Sequence, residues 1–179
     1  MVIRKFVSRI LILVAIIISC YLLQVCIFSR LSIYGVTPNI LVGITSIFGF
    51  MKGSKRGMLV GFICGMLLDL SSGMLFGALI AVYTTIGFIN GLFRKMFFGD
   101  DIKLPMVLIF SSNIIYGIIM YVIVLLTNTQ FDFVYYVNNV ILPESVYTAL
   151  VCLFIYVVIF QISTKLDKSE KRRESHIIA

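Results

Sequence analysis

Charged positions are rare along the 179 residues, and they punctuate long uncharged stretches. These run from Ile10 to Ser29, Leu31 to Met51, Gly57 to Leu68, Leu70 to Phe93, Leu104 to Phe131 and Ser145 to Thr164. A helix of about 20 apolar residues crosses the hydrocarbon layer of a bilayer, and the first stretch alone has 20. The pattern predicts an all-α integral membrane protein, a compact bundle of six transmembrane helices over 1–164 with a basic cytoplasmic tail over 165–179. The third and fourth helices must share the 37 residues from Gly57 to Phe93, which makes the third short and places the turn at Leu70-Ser71-Ser72-Gly73.

Two segments are less regular. Thr37-Pro38 reads as an N-cap followed by proline in the first helical position. A helix from Pro38 to Met51 has 14 residues and is about 21 Å long, so either the chain enters the membrane before Pro38 or the bilayer thins locally. Further on, Phe133, Val137, Val140 and Ile141 recur at helical spacing, with Asp132, Tyr136, Asn138 and Asn139 on the other side. This piece either lies in the outer interface or continues the fifth span and turns at Pro143.

Composition narrows the function. With 60% hydrophobic and 13% charged residues and a mean hydropathy of +1.08, the chain is neither disordered, nor a disulfide scaffold, nor an ordinary soluble enzyme. Its net charge of +7 would point to nucleic acid in a soluble protein. Here the basic positions are an orientation code. With the N-terminus inside, 14 of the 15 basic residues fall on cytoplasmic segments and only Arg30 falls outside, so both termini are expected in the cytoplasm, with Ser72 and Asn138 external. No nucleic acid is expected as a partner, and the tail is expected to touch anionic lipid. Arg4, Lys5 and Arg9 ahead of an apolar run, with Ile17-Ile18-Ser19-Cys20, resemble a cleaved leader. The run exceeds the roughly 7–15 residues of a signal core, so a retained first helix is expected.

The candidate chemistry is sparse. Cys20, Cys26, Cys64 and Cys152 lie in apolar runs without CxxC spacing and read as small hydrophobes. His176, the only histidine, sits in the tail, so the bundle has no Ser/His or Cys/His pair, and there is no carboxylate cluster or phosphate loop. No enzyme activity, metal or cofactor is expected. The most organised feature is glycine every fourth residue: Gly49, Gly53, Gly57, Gly61 and Gly65, then Asp69, Gly73 and Gly77, with Gly87 and Gly91 following. Residues four apart line one helix face, and removing side chains there lets a second backbone approach. That face packs either within the chain or against a partner. Asp69, about 18 Å along the third helix from Gly57, either caps the fourth helix, a role Ser71 could also fill, or acts as a polar anchor that meets a partner's cation.

Pro38-Asn39, Gly57, Gly61-Phe62, Gly65, Asp69, Phe76-Gly77 and Gly87-Phe88-Ile89-Asn90-Gly91 occur in an order that resembles the rod shape-determining protein MreD family. Pro143 is a weaker echo, and Asn39 stands where that family often carries aspartate. The resemblance implies a non-enzymatic subunit of the bacterial inner membrane that binds MreC and assembles with RodA, a class B penicillin-binding protein and MreB to organise peptidoglycan synthesis and cell shape. It places Pro38, Asn39, the Gly57–Gly65 face and Asp69 among the candidate positions. The alternative is a substrate-binding S component of an energy-coupling factor type vitamin transporter, a compact six-helix protein of similar architecture. Few polar residues are available to orient a small ligand, which favours the scaffold.

Overall fold

The computed structural model describes residues 2–32, 35–72, 77–96, 103–127 and 132–158. Of these, 91% are helical and none forms a strand. In chain order, α1 is Val2–Leu22, continued by a π-helical turn at Leu23–Phe28; α2 is Ile40–Lys52; α3 is Ser54–Ser72; α4 is Ala78–Leu92, followed by a 3₁₀ turn at Phe93–Met96; and α5 is Lys103–Thr127. The last helix, α6, runs from Phe133 to Val158 with a π-helical turn at Val137–Ile141. Three helical stretches are long and apolar enough to cross a membrane: Leu11–Phe28, Lys103–Ile123 and Phe133–Val158.

The short helix α2 is the axis of the fold. Ten of its residues are buried, and it packs against α1, α3, α4 and α5. A helix that is apolar all round has nothing to gain from water and belongs inside a bundle. Its short length is matched by burial against other helices on every side. The stretch before it is buried within the protein too: Val36 and Asn39 are 8% and 5% exposed. Its cap differs from the expectation. Asn39, not Thr37, closes the helix, with Oδ1 accepting from the Val42 N–H at 3.3 Å, and Pro38 lies outside the first turn.

Helices α2 and α3 are joined by one residue, Gly53, at φ +91°, a conformation that suits glycine. The expected turn at Leu70-Ser71-Ser72-Gly73 is displaced. Helix continues through Leu70, Ser71 and Ser72, and α4 starts at Ala78 after Gly77 at φ +99°. Asp69 is the reason this longer α3 is tolerated, since its carboxylate reaches across to the start of α4. Gly73 and the 165–179 tail lie outside the described residues.

The segment around Phe133 does not continue α5 and turn at Pro143. It is the first part of α6, and Pro143 sits inside that helix. Proline lacks an N–H and normally breaks the ladder behind it, whereas a widened π turn immediately upstream relieves this mismatch and lets the helix continue.

Candidate functional site

The glycine stripe of α3 faces α4 of the same chain. A β-carbon built on Gly65 would stand 2.6 Å from the Ile80 Cα, and one on Gly61 would stand 2.7 Å from the Tyr83 carbonyl carbon. Real β-carbons do not approach that closely, so backbone meets backbone along the whole interface. At its far end three glycines from three helices converge. A β-carbon on Gly49 would stand 2.7 Å from the Gly87 carbonyl oxygen, and Gly57 lies against both Gly49 and Gly87. Gly91 lies against Ser54, and the Arg94 side chain against Gly53. Gly77 is different: nothing lies within 4 Å of its missing side chain, and its role is the left-handed turn into α4.

Asp69, 4% exposed, accepts from the backbone N–H of Gly77 at 2.9 Å, Ile80 at 3.1 Å and Leu79 at 3.3 Å. Those donors are the otherwise unpaired amides of the α4 N-terminus, where the helix dipole also favours negative charge. Ser71 bonds back to the Leu68 carbonyl instead.

Asn39 joins three elements. Its Oδ1 accepts from the Tyr83 hydroxyl of α4 at 2.8 Å, its own N–H donates to Thr148 Oγ1 of α6 at 2.9 Å, and Gln24 Oε1 of the π turn accepts from the Leu41 N–H beside it at 3.1 Å. Deeper in, the Asn90 amide donates to Ser112 Oγ of α5 at 2.8 Å and to Ser46 Oγ of α2 at 3.4 Å. Asn113 donates to Ser145 Oγ at 3.2 Å and leaves its own Oδ1 buried without a hydrogen bond.

Beside Asn39 opens a cleft of about 1120 Å³ between the end of α1, the segment before α2, the middle of α5 and the first half of α6. It lies at the Asn39 end of α2, opposite Lys52. Gln24, Asn39, Tyr116, Tyr136, Glu144 and Tyr147 are among its lining residues. The Tyr116 and Tyr83 rings meet edge to face with centroids 5.6 Å apart, and Tyr136 packs on Tyr121 at 5.3 Å. Tyr147 Oη donates to the Leu31 carbonyl at 3.3 Å, tying α6 to the chain that leaves α1.

This cleft corrects the expectation that few polar residues could orient a ligand. It also adds to Asp69 a second acid within the helices, Glu144, half-buried in α6. The signal was present in the sequence: Tyr136, Glu144 and Thr148 lie at multiples of four on α6, and Asn113, Tyr116, Gly117 and Met120 share one face of α5. Treating Pro143-Glu144 as a boundary hid it. Of the cysteines, Cys20, Cys64 and Cys152 are buried in the core, and Cys26 is exposed. Among the described residues no three His, Cys, Asp or Glu side chains gather as metal ligands. No family model, curated protein or solved structure matches this chain.

Proposed function

We propose that this chain is a non-enzymatic scaffold subunit of the bacterial cell-elongation machinery, of the MreD kind. In this reading it crosses the cytoplasmic membrane six times with both termini inside and binds MreC. Together with RodA, a class B penicillin-binding protein and MreB it helps organise lateral peptidoglycan synthesis and cell shape. One observation supports the reading above others. The residues that carry the resemblance, from Asn39 through Gly57, Gly61, Gly65 and Asp69 to Gly91, are not scattered but lock α2, α3 and α4 into one unit. A rigid unit of this kind suits a docking platform, whose partners need a surface of fixed shape.

Around that unit α1 leaves apolar residues exposed, including Leu11 and Leu22 at 62% and 52%. Such a helix offers surface to lipid or to a partner's transmembrane helix. The test is purification of the tagged protein from its own membranes in mild detergent, with mass spectrometry of what accompanies it. Recovery of MreC or RodA is expected.

The cleft favours a second reading, an S component of an energy-coupling factor type transporter, because such a protein needs a polar-lined cavity on its outer side. Recovery of transporter ATPases and a vitamin-like molecule in the same experiment would replace the scaffold with that role.

A further inference from the structure

The cleft contains an acid and no basic side chain among the described residues. Among the described residues its lining holds one carboxyl, Glu144, the side-chain amides of Gln24, Asn39, Asn138 and Asn139, four tyrosines, and no lysine, arginine or histidine. Glu144 shares this wall with Tyr116 of α5 and with Tyr136, two helical turns before it on α6. No cation among the described residues is paired with it. A carboxyl in the wall of a cleft can pair with an ammonium group, and aromatic rings in the same wall attract a cation over their faces.

The backbone shapes this same place. Both π-helical turns border the cleft: Leu23–Phe28 supplies Gln24, and Val137–Ile141 supplies Asn138 and Asn139. A π turn rotates the residues that follow it out of the register an α-helix would give, and such turns concentrate at functional sites. In α6 the residue that follows most closely, beyond Pro143, is Glu144.

From this arrangement we infer that the cleft binds an ammonium group, its charge paired with Glu144 and its substituents against Tyr116 and Tyr136. The group arrives either on a free small amine or on the ethanolamine headgroup of a phospholipid. Its volume, just above the roughly 300–1,000 Å³ of small-molecule sites, accommodates either. The inference stands on the cleft and holds whether the chain is a scaffold or a transporter subunit.

The full-length chain in phosphatidylglycerol nanodiscs is titrated with radiolabelled choline and ethanolamine, with ethylene glycol as the uncharged competitor, and is separately examined by native mass spectrometry after mixing with phosphatidylethanolamine. Saturable amine binding that ethylene glycol does not displace, weakened about tenfold or more by Glu144→Gln, is the expected result for a free amine. Retention of phosphatidylethanolamine that Glu144→Gln abolishes, without binding of free amines, identifies the headgroup instead. Tyr136→Leu should weaken either form and Tyr136→Phe should preserve it, a pair that keeps the test intact if Glu144→Gln does not fold. If neither amine nor lipid binds, or if binding is indifferent to both Glu144 and the Tyr136 ring, the inference is wrong.

Discussion

Tyr83 of α4 and Asn39, the residue that caps α2, are 44 positions apart and meet through a hydrogen bond of 2.8 Å. The phenol is fully buried, so its hydroxyl must find a partner inside, and the cap of the central helix is that partner. One oxygen thereby serves the start of α2 and the middle of α4 together.

Because the Asn39 side chain acts here through an acceptor oxygen, Asn39→Asp should fold with a melting temperature close to the native one. Asn39→Leu should lose about 1–3 kcal/mol, as the Tyr83 hydroxyl and the Val42 amide are left unpaired. Tyr83→Phe combined with each variant forms a double-mutant cycle, and additivity within error would mean that the two residues are not coupled.

Helix packing through glycine leaves no room for growth. Gly61→Ala should cost about 1–3 kcal/mol and Gly61→Leu more, because the added atoms meet α4 backbone rather than flexible side chains. Thermal melting in detergent reads the loss, and a Gly61→Leu protein as stable as the native one would refute the close approach of α3 and α4.

Asp69 should behave as a charged cap. Asp69→Ala is expected to destabilise by about 1.5–3 kcal/mol and Asp69→Asn by less, since asparagine keeps one acceptor for the α4 amides. Protection of the Gly77, Leu79 and Ile80 amides in hydrogen exchange gives a local readout, and should fall most in the alanine variant.

Asn90 links α4 to α2 and α5 in the apolar interior. Its replacement by alanine should cost about 0.6–1.7 kcal/mol, the range seen for hydrogen bonds between membrane helices. Ser112→Ala in the same background should then have little further effect, because its partner is already gone.

Much of this was legible in the chain itself. The four-residue glycine rhythm marks the α3 face, and Asp69 in the same register points at the α4 cap. What was hidden has a physical cause in each case. Asn39, Tyr83 and Asn90 find partners far away in sequence, and nothing local distinguishes a polar residue that meets another from one that meets water. Pro143 misled because proline usually ends a helix, and a π turn that accommodates it has no strong local signature. A helix end at Pro143 separates Glu144 from Tyr136 in the sequence pattern, although the two line one cleft.

The Asp69 cap also bears on biogenesis. The amides that hold the carboxylate belong to residues 77–80, which leave the ribosome only after α3 is complete. Until then α3 would carry into lipid an acid without its hydrogen-bond donors, which disfavours insertion of α3 alone. The two helices are therefore expected to enter the bilayer together, as one hairpin. In chains arrested with α3 but not α4 clear of the ribosome, a cysteine placed in α3 should react with a water-soluble maleimide, and in chains long enough to release α4 it should be shielded.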